Sequence, residues 1–232
     1  MRLVAEQPGI FTTIQGSGVW AGMPMCFVRT FGCDYNCSWC DTQYARKGKY
    51  IELGVEEIAK KVVETNCDHM VITGGNPLLQ SKEVEELLRC LSGKHIRTML
   101  ATQGSFSTEN IYSILFHISV LALSPKLHDW RWDPLEAILH AATNYRKTIQ
   151  VDIVCQSVED IDDALAHMMR IEKAHTFGNH KELIHFCLVP EYSVGEGFIH
   201  IMKKQVLSWA ALGCKPIPRI MPQLHKLVYL VP

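Results

Sequence analysis

No apolar run in this 232-residue chain approaches the roughly 20 residues that a bilayer-spanning helix needs. The first residues, Met1-Arg2-Leu3-Val4-Ala5-Glu6, lack an apolar leader, so no membrane association and a cytoplasmic location are expected. Charge of one sign is not in excess. Lys and Arg total 23 against 24 Asp and Glu, a formal net charge of −1, and no basic or acidic tail stands out. Nucleic acid is therefore not an expected partner. Internal repeats and low-complexity stretches are missing too, and the length suits a single domain over residues 1–232. With 47% hydrophobic residues, such a domain has enough apolar material for a sizeable core.

Cysteine, by contrast, is plentiful. Nine are present, an odd number, and without a leader they argue against a disulfide framework. Cys26, Cys67, Cys90, Cys155, Cys187 and Cys214 sit mostly among apolar residues and read as core thiols. The other three stand together in Phe31-Gly32-Cys33-Asp34-Tyr35-Asn36-Cys37-Ser38-Trp39-Cys40-Asp41-Thr42, spaced C-x3-C-x2-C. A second C-x2-C arm, as in closed zinc sites, is missing. Three thiolates from one loop suit a 4Fe–4S cube with one iron left open for chemistry. Zinc held with a distant His, or inert thiols, are the alternatives on the triplet alone.

Along the chain, strand-like and helix-like segments alternate. Strands are expected at 25–29, 69–73, 96–100, 120–123, 148–154, 184–189 and 218–221. Helices are expected at 55–64, from Ser81 as a cap, at 111–116, from Asp133-Pro134, after the capping box Ser157-Val158-Glu159-Asp160, and at 198–212 with Gly213 as terminator. Gly48 and its basic neighbours read as a mobile loop. Repeated strand–helix units imply a parallel sheet of about six core strands. Cys33, Gly74-Gly75, Thr102 and Ser124-Pro125 then each fall after a strand, at the carboxyl edge where parallel α/β folds bind ligands.

Several of these segments carry a resemblance. Ile14-Gln15-Gly16-Ser17-Gly18, Phe27-Val28-Arg29 and the cysteine loop resemble the start of a radical S-adenosylmethionine (radical SAM) enzyme. Thr73-Gly74-Gly75-Asn76-Pro77, Thr102-Gln103-Gly104-Ser105, Ser124-Pro125-Lys126 and Pro222-Gln223-Leu224-His225-Lys226 are similar, in order, to the 7-carboxy-7-deazaguanine synthase family of the queuosine pathway. The resemblance runs from about residue 12 to residue 226. It implies an α/β fold, a partial, open (β/α) barrel. It also implies a radical ring contraction of 6-carboxy-5,6,7,8-tetrahydropterin with a 4Fe–4S cluster, S-adenosyl-L-methionine and Mg²⁺. An electron donor such as flavodoxin or ferredoxin and a homodimer are implied as well.

By the same resemblance Cys33, Cys37 and Cys40 hold the cluster and Thr42 gives an oxygen to Mg²⁺. Trp39, Gly74, Gly75, Asn76, Thr102, Gln103, Ser124 and Lys126 are expected around S-adenosylmethionine. Ile14, Gln15, Gly16, Ser17, Gly18, Arg29, Thr73, Gln223 and His225 are expected around the substrate, with Arg29 suited to a carboxylate. The chain also departs from the pattern. Ser17 and Ala101 stand where the family usually has Glu, and Cys187 stands where a polar residue is expected. Another radical SAM substrate, as for an activating enzyme, or a diverged non-catalytic role are the rival readings.

Overall fold

The computed structural model describes residues 1–5, 8–175 and 183–223. Their ten strands form one open sheet. Its parallel part comprises β3 (Pro24–Thr30), β5 (His69–Gly74), β6 (Arg97–Thr102), β7 (Val120–Leu123), β8 (Thr148–Cys155), β9 (Ile184–Pro190) and β10 (Arg219–Ile220), side by side in that order. The expected parallel strands are all present, and β10 is shorter than its sequence pattern. Three strands escaped the sequence reading: β1 (Arg2–Val4), β2 (Ile10–Ile14) and β4 (Tyr50–Glu52), which extend the sheet antiparallel. They are short and lie at an edge, so their burial carries little period-2 signal.

Helices connect the parallel strands. They are α1 (Tyr44–Lys47), α2 (Val55–Glu64), α3 (Ser81–Cys90), α4 (Ile111–His117), α5 (Trp132–Asn144), α6 (Val158–His175) and α7 (Gly195–Ala211). In α2 the buried residues are Val55, Ile58, Ala59 and Val62, one face at helical spacing. Each large aliphatic side chain buried in this way contributes on the order of 1.5–3 kcal/mol. Two caps differ from expectation. Ser81 is the first residue of α3, because the turn Pro77–Gln80 before it already bends the chain into helix. Arg131 precedes α5, leaving Asp133 inside its first turn. The Ser157 box holds: Ser157 Oγ accepts from Asp160 N at 3.1 Å, and Asp160 Oδ2 accepts from Ser157 N at 3.2 Å. Gly48 is no open loop but the cap between α1 and β4, its N–H bonded to Tyr44 O.

Strand alternation sorts the core into two sides. Cys26, Val28, Met70, Ile72, Leu100, Leu121, Ile149 and Val151 pack on the helices. Met25, Val71, Met99, Val120 and Ala122 form a smaller inner cluster with Trp20. Further along the strands, or just past their ends, the inner side turns polar: Arg29, Thr73, Gln103, Ser124 and Asp152. The inner side is thus plugged with apolar side chains at one end and polar at the carboxyl end. Of the six other cysteines, Cys26, Cys155 and Cys187 are buried, and Cys67, Cys90 and Cys214 are half-buried.

Candidate active site

Two adjoining cavities open at the carboxyl edge of the sheet. The first takes its wall from the cysteine loop after β3 and from the ends of β5, β6 and β7. Cys33, Cys37 and Cys40 all line it, with Trp39 beside them. The Trp39 ring stands edge-on to His128, with centroids 5.0 Å apart. Among the described residues, no three His, Cys, Asp or Glu side chains converge as ligands of a single ion. A cube places one thiolate on each of several irons, so its ligands surround a volume rather than a point. Three half-buried thiols around one cavity fit that donor set.

Burial pushes the Cys33 and Cys37 thiols up, and the Lys126 ammonium opposes this at both. Burial in turn pulls Lys126 down, while the three cysteines raise it. Cation and thiols therefore stabilise one another's charge. Lys126 Nζ donates to Ser124 Oγ at 2.8 Å, which orients it. Gln103 Nε2 donates to Gly75 O at 2.9 Å and lies 3.9 Å from Cys33 Sγ.

The cysteine loop is locked to the end of β5 by close backbone contact. Gly75 N donates to Thr30 O at 3.0 Å, and Asn76 N to Gly32 O at 2.7 Å. A methyl group on Gly75 would lie 1.9 Å from Gly32 O, so only glycine fits. Gly74, at φ +108°, also has a carbonyl too near for a side chain, Thr30 O at 2.3 Å from such a methyl. Both glycines face the first cavity, yet this packing alone requires them.

Asn76 is fully buried behind that wall and lines neither cavity. Its Nδ2 donates to Asp34 Oδ1 and to Ser105 Oγ, each at 2.9 Å. Its Oδ1 accepts from Thr102 Oγ1 at 2.8 Å. The side chain expected at S-adenosylmethionine is instead a hub that joins three loops. Asp34 also receives Arg131 Nη1 at 3.1 Å, and Arg131 bonds Asp129. Asp34 and Ser105 stand inside the quoted motifs without an assigned role, and Arg131 escaped the sequence reading, because nothing in their local pattern marks a partner tens of residues away.

The second cavity lies on the inner side of β3 and is lined by Ile14, Gln15, Gly16, Ser17 and Arg29. Arg29 is buried, with its guanidinium 4.3 Å from the Phe11 ring centroid. Burial lowers its pKa, and Tyr44 and Asp41 oppose this. A cation held so is a strong site for a ligand carboxylate. Gln15 Nε2 points to Met99 Sδ at 3.5 Å. Gly18 lies outside both linings: at φ +78° it packs on the Gln150 side chain, where a methyl would overlap at 1.8 Å. This glycine shapes the turn rather than the cavity floor.

Thr42, Thr73 and Gly74 line both cavities, together with Asp41, Ala101, Ala122 and Asp152. Thr42 Oγ1 lies 3.5 Å from Cys40 Sγ and is not used as a helix cap, the residue before α1 being Gln43. An oxygen ligand at this junction would face both cavities. Gln223 lines the first cavity, with its side-chain oxygen buried and without a partner. Leu224, His225 and Lys226 lie outside the described residues.

Asp152 is the largest omission of the sequence reading. Burial raises its pKa from 3.8 to about 6, opposed by Gln150, Cys187 and Lys126. The clue was available: Gln150-Val151-Asp152-Ile153 places polar residues at period 2 within an otherwise apolar strand.

The pattern of the radical SAM superfamily matches residues 27–188. Along the whole chain, the 7-carboxy-7-deazaguanine synthase of Bacillus cereus is 30% identical, over 94% of this chain and 92% of that protein. The Bacillus subtilis protein of the same name is also 30% identical, with 94% and 92% covered. That of Thermoplasma acidophilum is 28% identical over 95% of each chain. Among solved structures, Streptococcus suis SuiB bound to S-adenosylmethionine superposes with a TM-score of 0.62 at 13% identity. It matches 84% of this chain, which spans about half of SuiB (49%), and it supports the fold alone. With its cysteine loop, open sheet and carboxyl-edge cavities, the chain belongs to the radical SAM superfamily and, within it, to the family of the 7-carboxy-7-deazaguanine synthases.

Proposed function

We infer that this chain is a radical SAM carbon–nitrogen lyase that converts 6-carboxy-5,6,7,8-tetrahydropterin to 7-carboxy-7-deazaguanine with loss of ammonia. The observation that carries this reading is the pair of joined cavities, one walled by three cysteines and the other by Arg29. When bound, the 4Fe–4S cluster and S-adenosylmethionine supply one-electron chemistry that starts the reaction.

The chain's own residues do the rest. Cys33, Cys37 and Cys40 hold the cluster, and Lys126 steadies their negative charge. Trp39, Gly74, Gly75, Thr102, Gln103 and Ser124 form the wall against which S-adenosylmethionine rests, and Asn76 fixes that wall from behind. Arg29 receives the substrate carboxylate, while Thr42 at the junction offers an oxygen to Mg²⁺. Ile14, Gln15, Gly16, Ser17, Thr73 and Gln223 complete the substrate's surroundings. The apolar inner cluster below them closes the floor to water. No described helix is long and apolar enough to cross a membrane. Reduction by a flavodoxin or ferredoxin, a homodimer and a cytoplasmic location complete the reading.

Anaerobic incubation of the reconstituted protein with the pterin, S-adenosylmethionine and a reductant tests it. Mass spectrometry should detect 7-carboxy-7-deazaguanine. Cleavage of S-adenosylmethionine with the pterin left intact would point to another substrate, and no cleavage to a non-catalytic relative.

A further inference from the structure

Asp152 is unlike every other acid of the site. It lines both cavities, yet its Oδ1 is buried and has no hydrogen-bond partner. Native structures rarely leave a buried carboxylate oxygen unanswered. The rest of the side chain is fixed: Gln150 Nε2 donates to Oδ2 at 2.5 Å, and the Cys187 thiol sits against the same carboxylate. Cys187 is also the register partner of Asp152 on β9. Lys126 acts on Asp152 through its charge alone: its hydrogen bond goes to Ser124, and Oδ1 receives none. The free oxygen is therefore held in place and awaits a donor from a ligand.

The wall around it says what kind of ligand. Ala101 and Ala122 are register partners on β6 and β7 and line both cavities. Their methyl groups leave room in front of Asp152 and offer no hydrogen bonds. Ser17, on the same cavity, has only a short hydroxyl. Arg29 lies on β3, with β5, β6 and β7 between it and the strand of Asp152. One cavity system thus presents a guanidinium and a carboxylate to a common occupant. The complementary molecule is a flat heterocycle with a carboxylate at one end and N–H donors at the other.

We propose that Asp152 binds the amino edge of the substrate ring, accepting from its 2-amino group on Oδ1, and is the specificity-determining carboxylate of this chain. The idea rests on the pterin reading above and adds the group that distinguishes an aminopyrimidine ring from its oxo analogue. Gln150, which lines the second cavity beside Asp152, acts as a positioning residue through its hydrogen bond to Oδ2. Ala101 and Ala122 provide the space. A carboxylate facing a ring carbonyl is repelled, whereas one facing an amino group gains a charge-assisted hydrogen bond.

The experiment uses two stable probes on the cluster-free protein: 6-carboxypterin, and 6-carboxylumazine, in which a carbonyl replaces the 2-amino group. Binding is followed by fluorescence. Wild type should prefer 6-carboxypterin by at least about tenfold, near 1.4 kcal/mol. Asp152→Asn replaces an acceptor by a donor at nearly unchanged shape, and should reduce the preference to within about twofold. Circular dichroism and thermal melting report whether that variant folds. A second variant, Asp152→Asn with Ala101→Glu, returns a carboxylate to the same wall and should recover part of the preference. Equal preference in wild type and folded Asp152→Asn would overturn the assignment while leaving the pterin reading intact. So would a variant that loses only S-adenosylmethionine affinity, which would make Asp152 a partner of Lys126. If Asp152→Asn does not fold, a wild type with no preference overturns it as well. Wild type that binds neither probe contradicts the pterin reading itself.

Discussion

The Asn76 amide donates to the Asp34 carboxylate at 2.9 Å, joining the loop after β5 to the loop that carries Cys33. The two residues are 42 positions apart, so the bond exists only because β3 and β5 are neighbours in the sheet. Asn76 uses both ends of its amide, donating to Asp34 and Ser105 and accepting from Thr102. The cysteine loop therefore owes its position to a buried, fully satisfied network rather than to its own sequence.

Asn76→Asp should break this network in two ways. It removes the donor and sets a second carboxylate against Asp34. A buried polar group left unsatisfied costs about 1–3 kcal/mol, and the added charge makes the upper end apt. Urea denaturation of the cluster-free protein should show that loss. Reconstituted variant should also hold less iron than wild type, because the three thiols no longer keep their spacing.

Gly75→Ala tests the same joint through sterics. Its methyl would overlap Gly32 O at 1.9 Å, so the cysteine loop must move. Iron content after anaerobic reconstitution should fall well below half that of wild type. Gly197→Ala, at a position with nothing within 4 Å of the added methyl, is the matched control and should load normally.

Cys37→Ala should lose most of the iron and the visible absorbance that accompanies it. Full reconstitution binds about four irons per chain at this site. A triple Cys33, Cys37 and Cys40 replacement that keeps its iron would remove the ligand assignment.

Thr42→Val keeps the side chain's shape and removes its oxygen. Turnover of the variant should respond less to added Mg²⁺, with iron content unchanged. An identical Mg²⁺ response in both proteins would retire the role of Thr42.

Asp152 should leave a mark on stability against pH. Its folded pKa is raised from 3.8 to about 6, chiefly by burial. The folded chain thus holds this proton more tightly than the unfolded chain does. Its contribution to stability is fully present below about pH 4 and is lost as pH rises to about 6 and above. The whole effect is bounded by about 3 kcal/mol, at 1.36 kcal/mol per unit. Asp152→Asn cannot ionise, so its melting temperature should gain on wild type as pH rises from 4 to 7. A difference that stays constant across that range would show that Asp152 is not ionising in the window.

Much of this was readable before any coordinates. Ligand chemistry is written in contiguous residues, so the C-x3-C-x2-C triplet, Gly74-Gly75 and Thr102-Gln103 announced themselves. Parallel strands buried on both sides make near-continuous apolar runs, which is why β5, β7 and β9 were apparent and why their ends placed the motifs on one edge. The short antiparallel strands β1, β2 and β4 gave no such run, since pairing with β1 or β3 rather than burial defines them. The roles of Asn76, Gly18 and Asp152 depend on Asp34, Gln150 and Ala101, residues distant in the chain and adjacent only across strands. Local pattern names the chemistry a segment can offer. Which side chains spend their hydrogen bonds on the scaffold, and which keep an atom free for a ligand, is settled by long-range packing that no short window of sequence contains.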